Sequence, residues 1–263
     1  MTKSYRSQAI PNSRIATFDV FAMGMKKHHV SALLEVDVTL GREKLRELRR
    51  KGGNVSLNAW LIKCICEAVQ KHPEAAAFKA SKRKLLLFDN LNVAFMVEKV
   101  NQQQKVPLPM LLEHANQKSI QEITVEIDSA KEQHAPNDTV VLNRKTAWYE
   151  QLYYGLPGFC RRTIWKVMLS NPRFAYRKMG NVVVTSLGMI GNLNGWFLHR
   201  SVHPLSFGIG AIIKKPVVNN TEIAVREILN LSVLMDHDVL DGAPMVRFVK
   251  DLTRIIESAQ CIA

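Results

Sequence analysis

At 263 residues and 47% hydrophobic, the chain can bury a full core, and its length fits one large α/β domain as well as two small ones. Thirty-six Lys and Arg against 23 Asp and Glu leave a net charge of +13, which favours an anionic partner without naming it. Neither an apolar segment behind Met1–Ser7 nor an uncharged apolar run of roughly eighteen residues occurs, so a soluble, cytoplasmic protein without signal peptide or membrane span is expected.

No linker, internal repeat or low-complexity stretch divides the sequence, and one domain over residues 1–263 is the economical expectation. Cys64, Cys66, Cys160 and Cys261 lack paired metal-site spacing and read as reduced spectators; no metal is expected. Without zinc-finger spacing, an aromatic RNA-binding stretch or a helix-turn-helix, nucleic acid is not the expected partner.

In chain order, Thr39 to Arg50 predicts a helix with Leu45 and Leu48 under many charges, stopped by Gly52-Gly53. A second helix begins near Ser56 or Asn58, buries Leu61, Ile62, Ile65, Ala68 and Val69, and ends at His72-Pro73. Leu85 to Phe88 and Leu91 to Val97 flank Asp89-Asn90 and predict a hairpin. Ser119 and Glu122 have capping-box spacing and open a helix toward Gln133, which His134 to Asp138 breaks. Strands follow near Asn181 to Thr185, Ser206 to Ile213 and Glu227 to Met235. A last helix starts at Ala243-Pro244 and carries Met245, Phe248, Val249, Leu252, Ile255 and Ile256 at helical spacing.

The junction between the last strand and last helix, Asp236-His237-Asp238-Val239-Leu240-Asp241-Gly242, sets an imidazole at the edge of the core. A general base suits such a place, because rigid elements on both sides fix it; Asp241 could equally be a helix cap and His237 a structural histidine.

The pattern Asp-His-x-x-x-Asp-Gly resembles the signature of the dihydrolipoyl acyltransferase catalytic core of 2-oxo acid dehydrogenase complexes, and more distantly that of chloramphenicol acetyltransferase. Upstream, Gly180-Asn181-Val182-Val183-Val184-Thr185-Ser186-Leu187-Gly188-Met189 is similar to that core's strand ending in a hydroxyl residue, and Glu35–Thr39, Val93–Val97, Val106-Pro107 and Lys118–Ile120 agree more loosely. The resemblance implies a chloramphenicol acetyltransferase-like two-layer α/β sandwich, with a mixed, mostly antiparallel sheet.

It also implies acyl transfer between a coenzyme A thioester and a thiol or hydroxyl acceptor, with acyl-CoA as substrate and His237 as general base. An imidazole titrating near about pH 6.5 suits that work. Thr185 takes the place of the hydroxyl that stabilises the oxyanion, with Ser186 as second choice and Ser186 and Gly242 lining the substrate. Asp241 organises the loop, and Arg14 is the candidate cation to pair with it. Homotrimers with active sites between subunits are implied; no lipoyl or subunit-binding domain is expected beside the core, and a lipoyl or carrier protein in trans is an expected acceptor.

Residues 148–178 depart from such cores: Tyr149, Tyr153, Tyr154, Phe159, Trp165, Phe174 and Tyr176 stand among Arg161, Arg162, Lys166, Arg173, Arg177 and Lys178. An amphipathic helix with cations in water accounts for that mixture, as do contact with a membrane interface, an acidic protein or a cofactor's phosphates. The segment is expected to shape acceptor specificity. A scaffold that kept the fold but lost the reaction, and a basic binding module, are the competing functional readings.

Overall fold

The computed structural model describes residues 12–101, 104–132, 148–186, 193–219 and 222–262. The expected break at His134 to Asp138 and the Leu187-Gly188-Met189 end of the strand motif lie outside them.

The first helix, α1 (Asn12–Gly24), precedes strand β1 (His29–Asp37), and α2 (Thr39–Arg50) and α3 (Leu57–Lys71) follow where the apolar periodicity puts them. Local chemistry sets their ends. Gly52, at φ +88°, takes the left-handed turn after α2, and the Ser56 hydroxyl accepts from the Ala59 N–H at the start of α3. Helix α4 (Ile120–Glu132) carries the expected capping box: Glu122 accepts from the Ser119 N–H at 2.7 Å, and the Ser119 hydroxyl accepts from the Glu122 N–H.

The expected hairpin around Asp89-Asn90 does not form. β2 (Phe78–Ser81) pairs with β3 (Lys84–Leu86), whereas β4 (Val93–Asn101) pairs antiparallel with β5 (Gln104–Leu112). Asn116 and Gln117 hold Asp89 and Asn90 instead, in the crossing between the two sheets. Residues 148–178 are not one helix but three, α5 (Trp148–Gly155), α6 (Gly158–Ser170) and α7 (Pro172–Met179), interrupted where Pro157 and Pro172 lack an N–H to continue the ladder.

β6 (Val182–Ser186), β7 (Leu205–Asn219) and β8 (Glu222–Asp236) complete a six-stranded sheet of order β1-β8-β7-β6-β4-β5, and α8 (Gly242–Glu257) closes the described chain. The β4–β6 and β6–β7 pairs are parallel and the other three antiparallel. One sheet face packs on α3, α4 and α8 through alternating residues such as Phe95, Val184, Phe207 and Val233, which meet Trp60, Ile123 and Phe248. The opposite face carries Val183, Ser206, Asn230 and Ser232, also buried. β7 and β8 run longer than their apolar cores predict; the ribbon continues past the sheet and exposes Val218, Ile223 and Val225. No described helix is long and apolar enough to cross a membrane.

Candidate active site

His237 follows the last residue of β8, and five residues later α8 begins. Its N–H donates to the His28 carbonyl at 2.9 Å, so the chain leading into β1 holds the turn from one side. Asp236 holds it from below. Fully buried, its carboxylate accepts from Lys27 Nζ at 2.6 Å and from the Asp238 N–H at 3.2 Å, while its own N–H donates to the Pro204 carbonyl. Behind it, His203 donates from Nε2 to the Met179 carbonyl and takes the Ser201 hydroxyl on Nδ1. Burial pushes the His203 pKa down to about 4, and also lowers that of His29, whose Nε2 meets the His203 carbonyl.

The His237 side chain is half exposed. Asp241 sits at the N-cap position of α8 but makes no side-chain cap; its carboxylate instead faces His237 Nδ1 at 3.9 Å. That is too long for a hydrogen bond, and with Asp241 89% exposed the attraction is screened by solvent. Gly242 has open space where a Cβ would stand.

Thr185 alternates with Val184, so its side chain lies on the sheet face away from α3 and α8, where it is half buried. Gly180 makes this strand's entry possible: its φ is +81°, and a Cβ would stand 2.2 Å from the Asn92 carbonyl oxygen. Thr185 is level with Gly208 on β7 and Ser232 on β8. His199 lies over Gly208, its Nδ1 3.3 Å from where a Cβ would be, and its Nε2 bonds the Ser206 hydroxyl. Burial lowers the His199 pKa, so its imidazole stays neutral beside Thr185's strand. Ser186 faces the other way, its buried Oγ without a hydrogen-bond partner among the described residues.

The sheet order separates His237 from Thr185 in one chain. Asp236 lies four residues along β8 from Ser232 and two strands across from Thr185. At about 3.3 Å per residue and about 4.8 Å per strand, the gap is roughly 15 Å or more. Arg14 is not brought to Asp241 either; it is exposed on α1, with its guanidinium 5.7 Å from the Phe18 ring centre. Lys27, Asp236, His199, Ser206 and His203 were not singled out by pattern, because each gains its meaning from a partner on another element. The Asp236 at the head of the histidine motif was the one available signal. Cys64 and Cys66 are buried in α3, and burial raises the Cys66 thiol to about 12, consistent with inert packing.

The helix-covered mixed sheet is a fold shared with chloramphenicol acetyltransferase. Its fold superimposes with a TM-score of 0.53 at 11% identity, over 97% of this chain and 100% of that one. The dihydrolipoamide acetyltransferase of Azotobacter vinelandii, studied for the role of a serine, a histidine and an asparagine in its catalytic mechanism, superimposes with a TM-score of 0.70 at 16% identity, over 99% and 96% of the two chains. The sequence profile of the 2-oxoacid dehydrogenases acyltransferase (catalytic domain) matches residues 4–139 and 177–263, and the chain belongs to that family.

Among curated relatives, the dihydrolipoyllysine-residue acetyltransferase component of the pyruvate dehydrogenase complex of Buchnera aphidicola is 23% identical over 87% of this chain and 50% of its own length. The same component from Rickettsia prowazekii is 22% identical over 98% and 55%. These relatives are enzymes, and the chain spans about half their length. Residues between 139 and 177, which include most of α5 to α7, fall outside the family match.

Proposed function

We propose that the chain moves an acyl group between coenzyme A and a thiol or hydroxyl acceptor, at a site assembled from two neighbouring chains. The observation that carries this reading is the pairing of a rigidly seated His237 with a Thr185 too distant in the same chain to share one reacting carbon. A tetrahedral centre needs both groups within a few ångströms. In a cyclic homotrimer the His237 turn of one chain can meet the Thr185 face of the next. The serine, histidine and asparagine studied in the Azotobacter enzyme stand at the same two sequence spacings as Thr185, His237 and Asp241, which supports the assignment.

With Nδ1 turned toward Asp241, Nε2 of His237 takes the proton from the attacking thiol or hydroxyl as that atom bonds to the thioester carbonyl carbon. The Thr185 hydroxyl donates to the oxyanion that forms, stabilising it more than the ground-state carbonyl. Collapse breaks the old carbon–sulfur bond, and the departing thiolate takes the proton back from the imidazolium. The open space over Gly242 lines the substrate; Ser186, turned to the opposite sheet face, does not reach it beside Thr185. Asp241 is exposed in the single chain and orders the turn, with Arg14 of a neighbour as its candidate partner.

A lipoyl group or carrier protein in trans is the acceptor class the relatives' names favour. The test is release of free thiol from acetyl-CoA and longer acyl-CoAs with dihydrolipoamide, carrier-protein and hydroxyl acceptors. Acceptor-dependent release should fall roughly a hundred- to ten-thousand-fold in His237→Ala with the fold intact. Asp241→Asn should slow turnover without abolishing it. No release with any of these acceptors, from folded protein, would favour a scaffold that kept the fold without the chemistry.

A further inference from the structure

We infer that helix α6 is a docking surface for an anionic phospholipid bilayer, independent of the acyl-transfer reading. The helix lies outside the family match and is clamped rather than loosely attached. Asp19 of α1, buried, accepts from the Tyr153 hydroxyl and from Arg161 Nε, both at 2.7 Å; Arg161 also donates to the Leu156 carbonyl, and Trp165 Nε1 donates to the Tyr153 hydroxyl.

This clamp orients α6 so that no residue of it is buried. Phe159, Thr163 and Val167 recur at four-residue spacing along one exposed face, with Phe159 66% and Val167 64% exposed. Beside them, Ile164, Val167 and Met168 of α6 face Phe174 of α7 across an open groove of about 490 Å³. α1, against which α6 packs, exposes Phe18 and Phe21, and Met25 just after it is exposed as well. A soluble chain gains nothing by holding such side chains in water, so a covering partner is called for.

Charge selects that partner. Arg162 and Lys166 flank the apolar stripe one turn apart and are exposed. Residues 148–179 hold six Lys and Arg against one carboxylate, Glu150. Two such basic faces repel each other in a like-to-like pair, whereas apolar side chains beside long-stemmed cations fit an acyl–headgroup boundary, the rings and branched chains entering the apolar layer and the cations reaching phosphates.

The experiment is co-sedimentation of the full chain with vesicles of phosphatidylglycerol and phosphatidylcholine, against vesicles of phosphatidylcholine alone, with the oligomeric state followed by ultracentrifugation. The wild type should bind the anionic vesicles and lose binding as salt rises. Arg162→Gln and Lys166→Gln should each weaken it about fivefold. Phe159→Asp combined with Val167→Asp should abolish it, with melting temperature and oligomeric state unchanged. Absence of wild-type binding, or equal binding by all variants, overturns the proposal. So does dissociation of the oligomer by the Asp variants without any vesicle binding, which would assign the face to a second copy.

Discussion

Burial sets the proton affinity of His203, and through it the acid limit of the fold. In the unfolded chain this imidazole takes a proton near pH 6.5; in the folded chain it does so only at about 4. Between these values the unfolded state binds more protons, so stability is full above about pH 6.5 and falls as pH drops toward 4, by up to roughly 3 kcal/mol from this group. His29 and His199, lowered by burial, steepen the same slope. Chemical denaturation at pH 7.5 and pH 5 should show the loss, and His203→Gln should flatten it; equal stability at both pH values in the wild type would show that the histidine is solvated. Thr185 offers a second prediction at this scale. If its hydroxyl meets the oxyanion, Thr185→Ala costs about 2–4 kcal/mol of transition-state stabilisation, read as kcat with KM little changed. A few-fold loss would move the role to a backbone N–H, since Ser186 lies on the opposite sheet face.

The β8–α8 turn depends on an ion pair joining residues 209 positions apart. Removing one partner leaves the other charge unpaired at the sheet's end, so Asp236→Ala should destabilise the fold by about 3 kcal/mol and slow turnover by loosening His237, whereas Lys27→Met combined with Asp236→Asn should recover most of the stability. Denaturant melts of the single and double variants measure this. The same distance explains what was legible in the sequence. Helices α2, α3, α4 and α8 fall close to their expected places because periodicity and caps such as Ser56 and the Ser119–Glu122 box are local signals. The hairpin that the sequence predicts around Asp89-Asn90 does not form because strand pairing is a long-range choice, and Leu85 to Phe88 cannot announce that Phe78 and Lys79 are its neighbours. His237 was legible as a junction between two strong elements. Its support from Lys27, and the dyad of His199 and Ser206 beside Thr185, exist only after folding.

At the scale of the molecule, the insertion of β7 between β6 and β8 decides where the chemistry can occur. It places the proposed base and oxyanion donor at separate stations, so one chain alone would be inert while an assembly is active. It also leaves Asp241 and the space over Gly242 open to a neighbour. The helices α5 to α7 add a basic, partly apolar surface to the chain without altering the sheet. The measurement to make is complementation between subunits. His237→Ala and Thr185→Ala chains, each inactive alone, are unfolded together, refolded as a mixture and assayed for acceptor-dependent thiol release. In a cyclic homotrimer, random mixing of equal amounts restores an intact pair at about a quarter of the sites, and activity should return to that fraction of wild type. Mixed oligomers that form yet stay inactive would contradict a site shared between chains.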